Sequence, residues 1–317
     1  MTLRPQRQRA AALAATAGSL FALALLPGPD ARAGTPAPTL VSQQADYDLG
    51  LVEAAGGQTL SATGHMRYAV LKTCLGWSSQ QRLDIQSVTR KQGEEHLLSD
   101  YAAQESLDGR HLTFKSQETR NGKLLRVVSG EASLAPDGSG VVQYRQPLAK
   151  TLRLPAGTLF PASHTASILA AAQKGEKELT IPLFDGTLPD GPEDTYVTIL
   201  NWSSPPVDSP YQPLQKLAAG HVHIAFYDRN AHTMMPEYEM GMRYFANGVS
   251  DQLHLDFGDF KMQGTLRALD RGAAPRARRA PRGPPGGAVA APGGRADAAD
   301  GPAGGVWAPP GTGAPGA

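Results

Sequence analysis

Few residues of this 317-residue chain have the types and spacing that chemistry needs. Ser163 and His164 put a hydroxyl next to an imidazole, the makings of a nucleophile and its base. Adjacent residues on a helix point in different directions, however, so this pair is not set to share a proton. Ser163 fits better as a helix cap, with Thr165 as a second candidate. His221 and His223 stand at strand spacing on one face and offer two nitrogen ligands, but no third ligand is evident and a polar strand face explains them better. Asp185, in "LFDGT", could serve as an acid; an Asp before Gly is more commonly a turn former. The chain has no Gly-rich phosphate loop, no HExxH, no CxxC and no GxSxG. The expectation is therefore a protein without catalytic residues, metal ligands or cofactor. The remaining reactive group is the single cysteine, Cys74, in "KTCLGWSSQQRLDI".

The elements that would position such residues are mostly strands. In "QTLSATGHMRYAV", Leu60, Ala62, Met66, Tyr68 and Val70 alternate with polar Thr59, Ser61, Thr63, His65 and Arg67. That period of two is a strand with one buried face. "HVHIAFYD" puts Val222, Ile224 and Phe226 on one side. "PEYEMGMRYF" gathers Tyr238, Met240, Met242 and Tyr244, with Glu237, Glu239 and Arg243 opposite. If the inner face holds a ligand, these four Tyr and Met side chains are expected to line part of its site; plain core is the other reading. "DQLHLDFGDFKMQG" alternates through Leu253, Leu255 and Phe257 and changes parity around Gly258 to Phe260 and Met262, as a bulge or sharp bend would. Turn signals such as "LDGR" at 107–110, "RNGK" at 120–123, "PDGSG" at 136–140 and "ANG" at 246–248 separate the runs. A dozen or more strands with such short connections make an antiparallel meander, which at that size curls or closes. One segment, Phe160–Glu176, reads as a helix with Ile168, Leu169 and Ala172 on one face and Gly175 as its stop.

The ends have different compositions. Residues 1–33 read as a secretory signal peptide: a basic start with Arg4, Arg7 and Arg9, an apolar run from Ala10 to Leu26, and Ala31-Arg32-Ala33 as the cleavage signal, with cleavage expected after Ala33. Of the 46 residues 272–317, 40 are Ala, Gly, Pro or Arg, a composition that cannot offset its ordering entropy and is expected to be disordered. Between them, residues 34–271 hold 21 basic and 26 acidic residues, a net charge of −5 that the whole-chain +1 hides. An acidic domain is a poor partner for nucleic acid. No later stretch is apolar enough to span a bilayer.

Several stretches resemble, in order, the EipB-like family of alphaproteobacterial periplasmic cell-envelope integrity proteins. They are "YDLGL", "GHMRYAV", "CLGWSSQQRL", "SDYAAQESLDG", "LPAGTLFPASHTASILAAAQKGE" and "IPLFDGT". The resemblance runs from about Ala45 to Leu269. It implies a spiral-like open barrel of antiparallel strands, all-β with one or two short helices. It also implies a non-enzymatic periplasmic role in maintaining the envelope, by binding another envelope protein, lipid or glycan. A carrier or sensor of a lipid or apolar ligand is the second reading, and an envelope hydrolase the third. The family's cysteine before Gly-Trp pairs with a second one just past the last strand; Cys74 matches the first position and the second is absent. After "GTLRALD" the sequence turns to the Arg/Ala/Pro/Gly composition expected of a GC-rich gene read out of frame, so a frameshift near residue 270 would have removed the partner.

Overall fold

The structure is a computed structural model describing residues 40–54, 57–203, 209–229 and 235–270. The expected signal peptide and the whole of the expected tail lie outside these residues. Among the described residues there are fourteen strands, all in one antiparallel sheet. A first meander runs β1 (Gln43–Ala54), β2 (Thr59–Lys72), β3 (Gly76–Thr89), β4 (Gly93–Ser106), β5 (His111–Arg120), β6 (Lys123–Leu134), β7 (Gly140–Gln146) and β8 (Lys150–Leu154). Helix α1 (Pro161–Lys174) follows. A second meander runs β9 (Glu178–Leu183), β10 (Glu193–Ser203), β11 (Ala219–Asp228), β12 (Tyr238–Phe245), β13 (Ser250–Asp256) and β14 (Phe260–Asp270). The two meanders join where β1 pairs with β14, so β8 and β9 are the outer edges.

Alternation places the core as the sequence implies. β1 buries Ala45, Tyr47 and Leu49, β5 buries Leu112 and Phe114, and β10 buries Val197 and Ile199. "RNGK" forms the β5–β6 turn with positive φ at both Asn121 (50°) and Gly122 (76°), the geometry that matches strand twist in a two-residue hairpin. One reading is corrected, at Leu60, and the choice between bulge and sharp bend at Gly258 is decided. Leu60 is 51% exposed, because the β2–β3 register shifts between Thr59 and Ser61 and turns it off the buried face. The parity change at Gly258 is not a bulge within one strand; it is the turn of the β13–β14 hairpin, with Gly258 at φ 82°.

The sheet curls. Leu83 on β3 shares one core with Val197 on β10 and Ile168 on α1, although β3 and β10 are far apart in strand order. A second core gathers residues of β4–β8 around Phe184, just beyond β9. Phe184 is fully buried, with Phe114, Tyr144 and Phe160 edge-on at 5.3, 6.2 and 6.3 Å. Such pairs are worth about 0.5–1.5 kcal/mol each beyond their buried area. They hold β5 and β7 against the segment after β9, although the sheet is not closed by a ladder between β8 and β9.

The helix starts one turn earlier than the cap reading of Ser163 and Thr165 requires. Phe160 is its N-cap residue and makes no side-chain cap bond, and Pro161 opens the first turn. The cap comes from β4. Glu105, only 3% exposed, accepts the N–H of Ala162 at 2.7 Å, the N–H of Ser163 at 3.0 Å and the Ser163 hydroxyl at 2.5 Å. A carboxylate there also meets the positive end of the helix dipole. Gly175, at φ 80°, closes the far end as the sequence predicts.

Candidate functional site

The curled sheet and α1 enclose a cavity of about 210 Å³. It is larger than the ~150 Å³ apolar cavity known to admit benzene. One wall is β12: Tyr238, Met240, Met242 and Tyr244 all face the cavity. They do so because β12 pairs with β11 in a register that sets Met240 opposite Ile224 and Tyr238 opposite Phe226. β13 adds Leu253 and Leu255, and β2 and β3 add Met66, Val70 and Leu83.

Five tyrosines line this space: Tyr47, Tyr68, Tyr101, Tyr238 and Tyr244. Burial pushes every one of their phenols up, so they remain protonated donors. Tyr47 donates to the Ser250 carbonyl at 2.7 Å. The Tyr101 hydroxyl, on a residue 4% exposed, has no hydrogen-bond partner among the described residues.

Acids collect in the connection between β9 and β10 and at the start of β12. Asp185, Glu193 and Glu237 all line the cavity. Asp185 forms the turn expected of it, accepting the Thr187 N–H at 2.8 Å and the Thr187 hydroxyl at 2.7 Å. Burial nonetheless pushes its carboxyl up. Glu193 is pushed up to about 8, first by burial and then by Asp185, Glu237 and Asp228. Burial and Asp228 raise Glu237. Glu237 is a correction, since the alternation put it on the polar face with Glu239 and Arg243. It precedes β12, which begins at Tyr238, and so escapes that strand's parity. Among the described residues no Lys or Arg lines the cavity.

The other candidates fall elsewhere. The His164 Nε2 lies 2.9 Å from the Thr195 hydroxyl, which itself donates to the Ile181 carbonyl. Burial lowers His164 to about 4, so it is neutral near pH 7. Ser163 serves Glu105 and not His164, so no nucleophile–base pair forms between them. His221 sits with its ring nitrogens 3.0 Å from Asn201 Oδ1 and 3.0 Å from Gln252 Oε1, and His223 meets Glu239 at 2.8 Å. Among the described residues no group of His, Cys, Asp and Glu is placed to hold a metal.

Cys74 is exposed in the β2–β3 turn. Gln44 pairs with Ala69 on one side and Asp270 on the other, so the end of β14 reaches the same end of the sheet as the Cys74 turn.

The pattern of the EipB-like family matches residues 35–272. The chain belongs to the EipB-like family. The cell envelope integrity protein EipB of Brucella abortus (strain 2308) is 29% identical over 266 residues, covering 82% of this chain and 93% of that protein. A crystal structure of a β-barrel-like protein of a domain of unknown function, also from Brucella abortus, matches with a TM-score of 0.67 and 29% identity. That match covers 75% of this chain and 100% of the solved one. Among the described residues no helix is long and apolar enough to cross a membrane.

Sequence reasoning missed Glu105, Glu193 and Tyr101. A signal existed for two of them: Tyr101, Ala103 and Glu105 share a parity in "DYAAQES", and a carboxylate at an inward position needs a buried partner.

Proposed function

We propose that this protein is a non-enzymatic periplasmic component that supports cell-envelope integrity by holding an apolar ligand in its barrel. The cavity lined by Met240, Met242, Leu253 and Leu255 carries this reading. A cavity with an apolar wall and a few polar groups is the usual form of a small-molecule site. The envelope role is carried over from the name of the Brucella abortus relative. Of the readings the sequence left open, the cavity favours a carrier or sensor over a scaffold for a protein partner. The hydrolase reading loses support because Ser163 is held by the Glu105 cap and His164 by Thr195.

The test is to export the full chain, recover it from the periplasm and extract it with organic solvent for mass spectrometry. An apolar molecule near one per chain is expected. It should be lost in Met240→Glu with the far-UV spectrum unchanged. Recovery of no such molecule, together with no binding of a polarity-sensitive apolar dye, refutes the reading. Amino-terminal sequencing of the same material should begin at Gly34.

A further inference from the structure

The cavity walls are not uniformly greasy, and their polar part has one sign. Asp185, Glu193 and Glu237 face the same space, and among the described residues no Lys or Arg lines it. The one imidazole that lines it among the described residues, His164, is neutral near pH 7. Register brings the acids together: Glu193 pairs with Leu183, two residues before Asp185, and Phe226, which pairs with Thr195 two residues after Glu193, accepts the Glu237 N–H at 2.9 Å. Like charges crowded in a water-poor space repel strongly, and such a cluster is relieved only by protons or by a cation.

Two further features point to what supplies the cation. The buried Tyr101 hydroxyl lines this cavity without a partner among the described residues, and Asp185 lies within electrostatic reach of it. A buried hydroxyl left unpaired is costly, and a bound polar group would complete it. Aromatic rings stand beside the acids: Phe226 and Tyr238 lie 5.6 Å apart, and both line the cavity. Ring faces together with carboxylates recognise ammonium groups through cation–π and ionic attraction at once. The apolar stretch formed by Met240, Met242 and Leu253 continues from there.

We propose that the ligand of this cavity is a cationic amphiphile: an alkyl chain packed along Met240, Met242 and Leu253, and an ammonium-type head held by Asp185 and Glu193. The inference rests on the reading of the cavity as an apolar ligand site and adds the charge of the head.

Three probes of one chain length separate the two ideas: octyltrimethylammonium, octyl glucoside and octanoate, each titrated calorimetrically into the full chain below its micelle concentration. Because the quaternary head does not titrate, any pH dependence of its binding belongs to the protein. The cationic probe should bind about tenfold or more tightly than the neutral one, with octanoate weakest, as expected for a close charge partner in a dry site. Its affinity should rise from pH 6 to pH 9 as Glu193, facing Asp185, Glu237 and Asp228, loses its proton. In Glu193→Gln and in Asp185→Asn the preference for the cation should fall severalfold while octyl glucoside binding persists, which also shows that the variants fold. Equal binding of cationic and neutral probes overturns the cationic head and leaves the apolar site standing. Binding of none of the three overturns both. A preference that survives intact in both variants overturns the assignment to these two carboxyls.

Discussion

Replacing Glu105 by alanine tests how the helix that lines the cavity is held. Glu105 accepts three hydrogen bonds from the first turn of α1, with its carboxylate almost fully buried. Its removal orphans three donors, each costing about 1–3 kcal/mol if water cannot reach it. Burial pushes the Glu105 carboxyl up, so the carboxylate is itself held at a cost that its removal returns. Water can also enter the space left behind. The net expectation is a loss of about 2–4 kcal/mol for Glu105→Ala. Glu105→Gln keeps one acceptor oxygen and should lose about 1–2 kcal/mol, while Ser163→Ala removes a single donor and should lose about 1 kcal/mol. Urea unfolding followed by tryptophan fluorescence measures all three, with the double variant Glu105→Ala/Ser163→Ala completing a cycle. Because Ser163 has no acceptor left once Glu105 is gone, the double variant should be little worse than Glu105→Ala alone. If Glu105→Ala costs no more than Ser163→Ala, or if the two effects add fully, then Glu105 is not the cap of this helix.

Three other outcomes follow from the same structure. Glu193 has an ordinary value of 4.5 and a folded value near 8, so its favourable contribution is complete below pH 4.5 and is lost as pH rises through 8. His164, lowered by burial from 6.5 to about 4, opposes this below pH 6.5, so the melting temperature should fall from pH 6.5 to pH 8.5, and Glu193→Gln should flatten the curve; a wild-type protein that gains stability over this range contradicts the burial of the acids. The lowered aspartates Asp48, Asp108 and Asp137 act the opposite way, and only below their ordinary 3.8. Gly186→Ala would place a Cβ 2.3 Å from the Phe114 ring at φ 79°, whereas Gly122→Ala meets open space at φ 76°. The first should cost more than about 2 kcal/mol and the second about 1 kcal/mol by denaturant unfolding, and equal losses would mean that the Phe184 cluster yields easily. Cys74 should react with a thiol reagent in the native protein at the rate of a free thiol and give a dimer band on a non-reducing gel; a thiol silent until denaturation would contradict its exposure.

The strands were legible because one face is buried and the other wet, a pattern that repeats every two residues in β1, β2 and β5. Tyr238, Met240, Met242 and Tyr244 could be grouped by parity alone, though parity does not distinguish a cavity wall from a filled core. What parity carries breaks down where registers shift or strands end, as at Leu60 and Glu237. The Glu105 cap was illegible for another reason: its partner Ala162 is 57 residues away, and local capping signals assume a side chain next to the helix. The acid group is likewise assembled from Asp185, Glu193 and Glu237, which the β9–β10, β10–β11 and β11–β12 pairings bring to one place.

The pairing of Gln44 with Asp270 gives the sheet an unusual relation to the chain that makes it. Every other ladder joins strands that follow one another; this one joins strands separated by almost the whole folded segment. Cut between β8 and β9 and joined between β14 and β1, the same strands would form one uninterrupted fourteen-strand ribbon in simple sequence order. The native chain is thus a permuted form of a plain meander, with its central ladder left to the slowest kind of contact to find. Until β14 arrives, β1 presents an unpaired edge along one side, and long-range strand pairing of this kind slows folding and exposes such edges to association. A permuted chain opened between β8 and α1 would make that ladder an ordinary hairpin, and its refolding should be correspondingly faster.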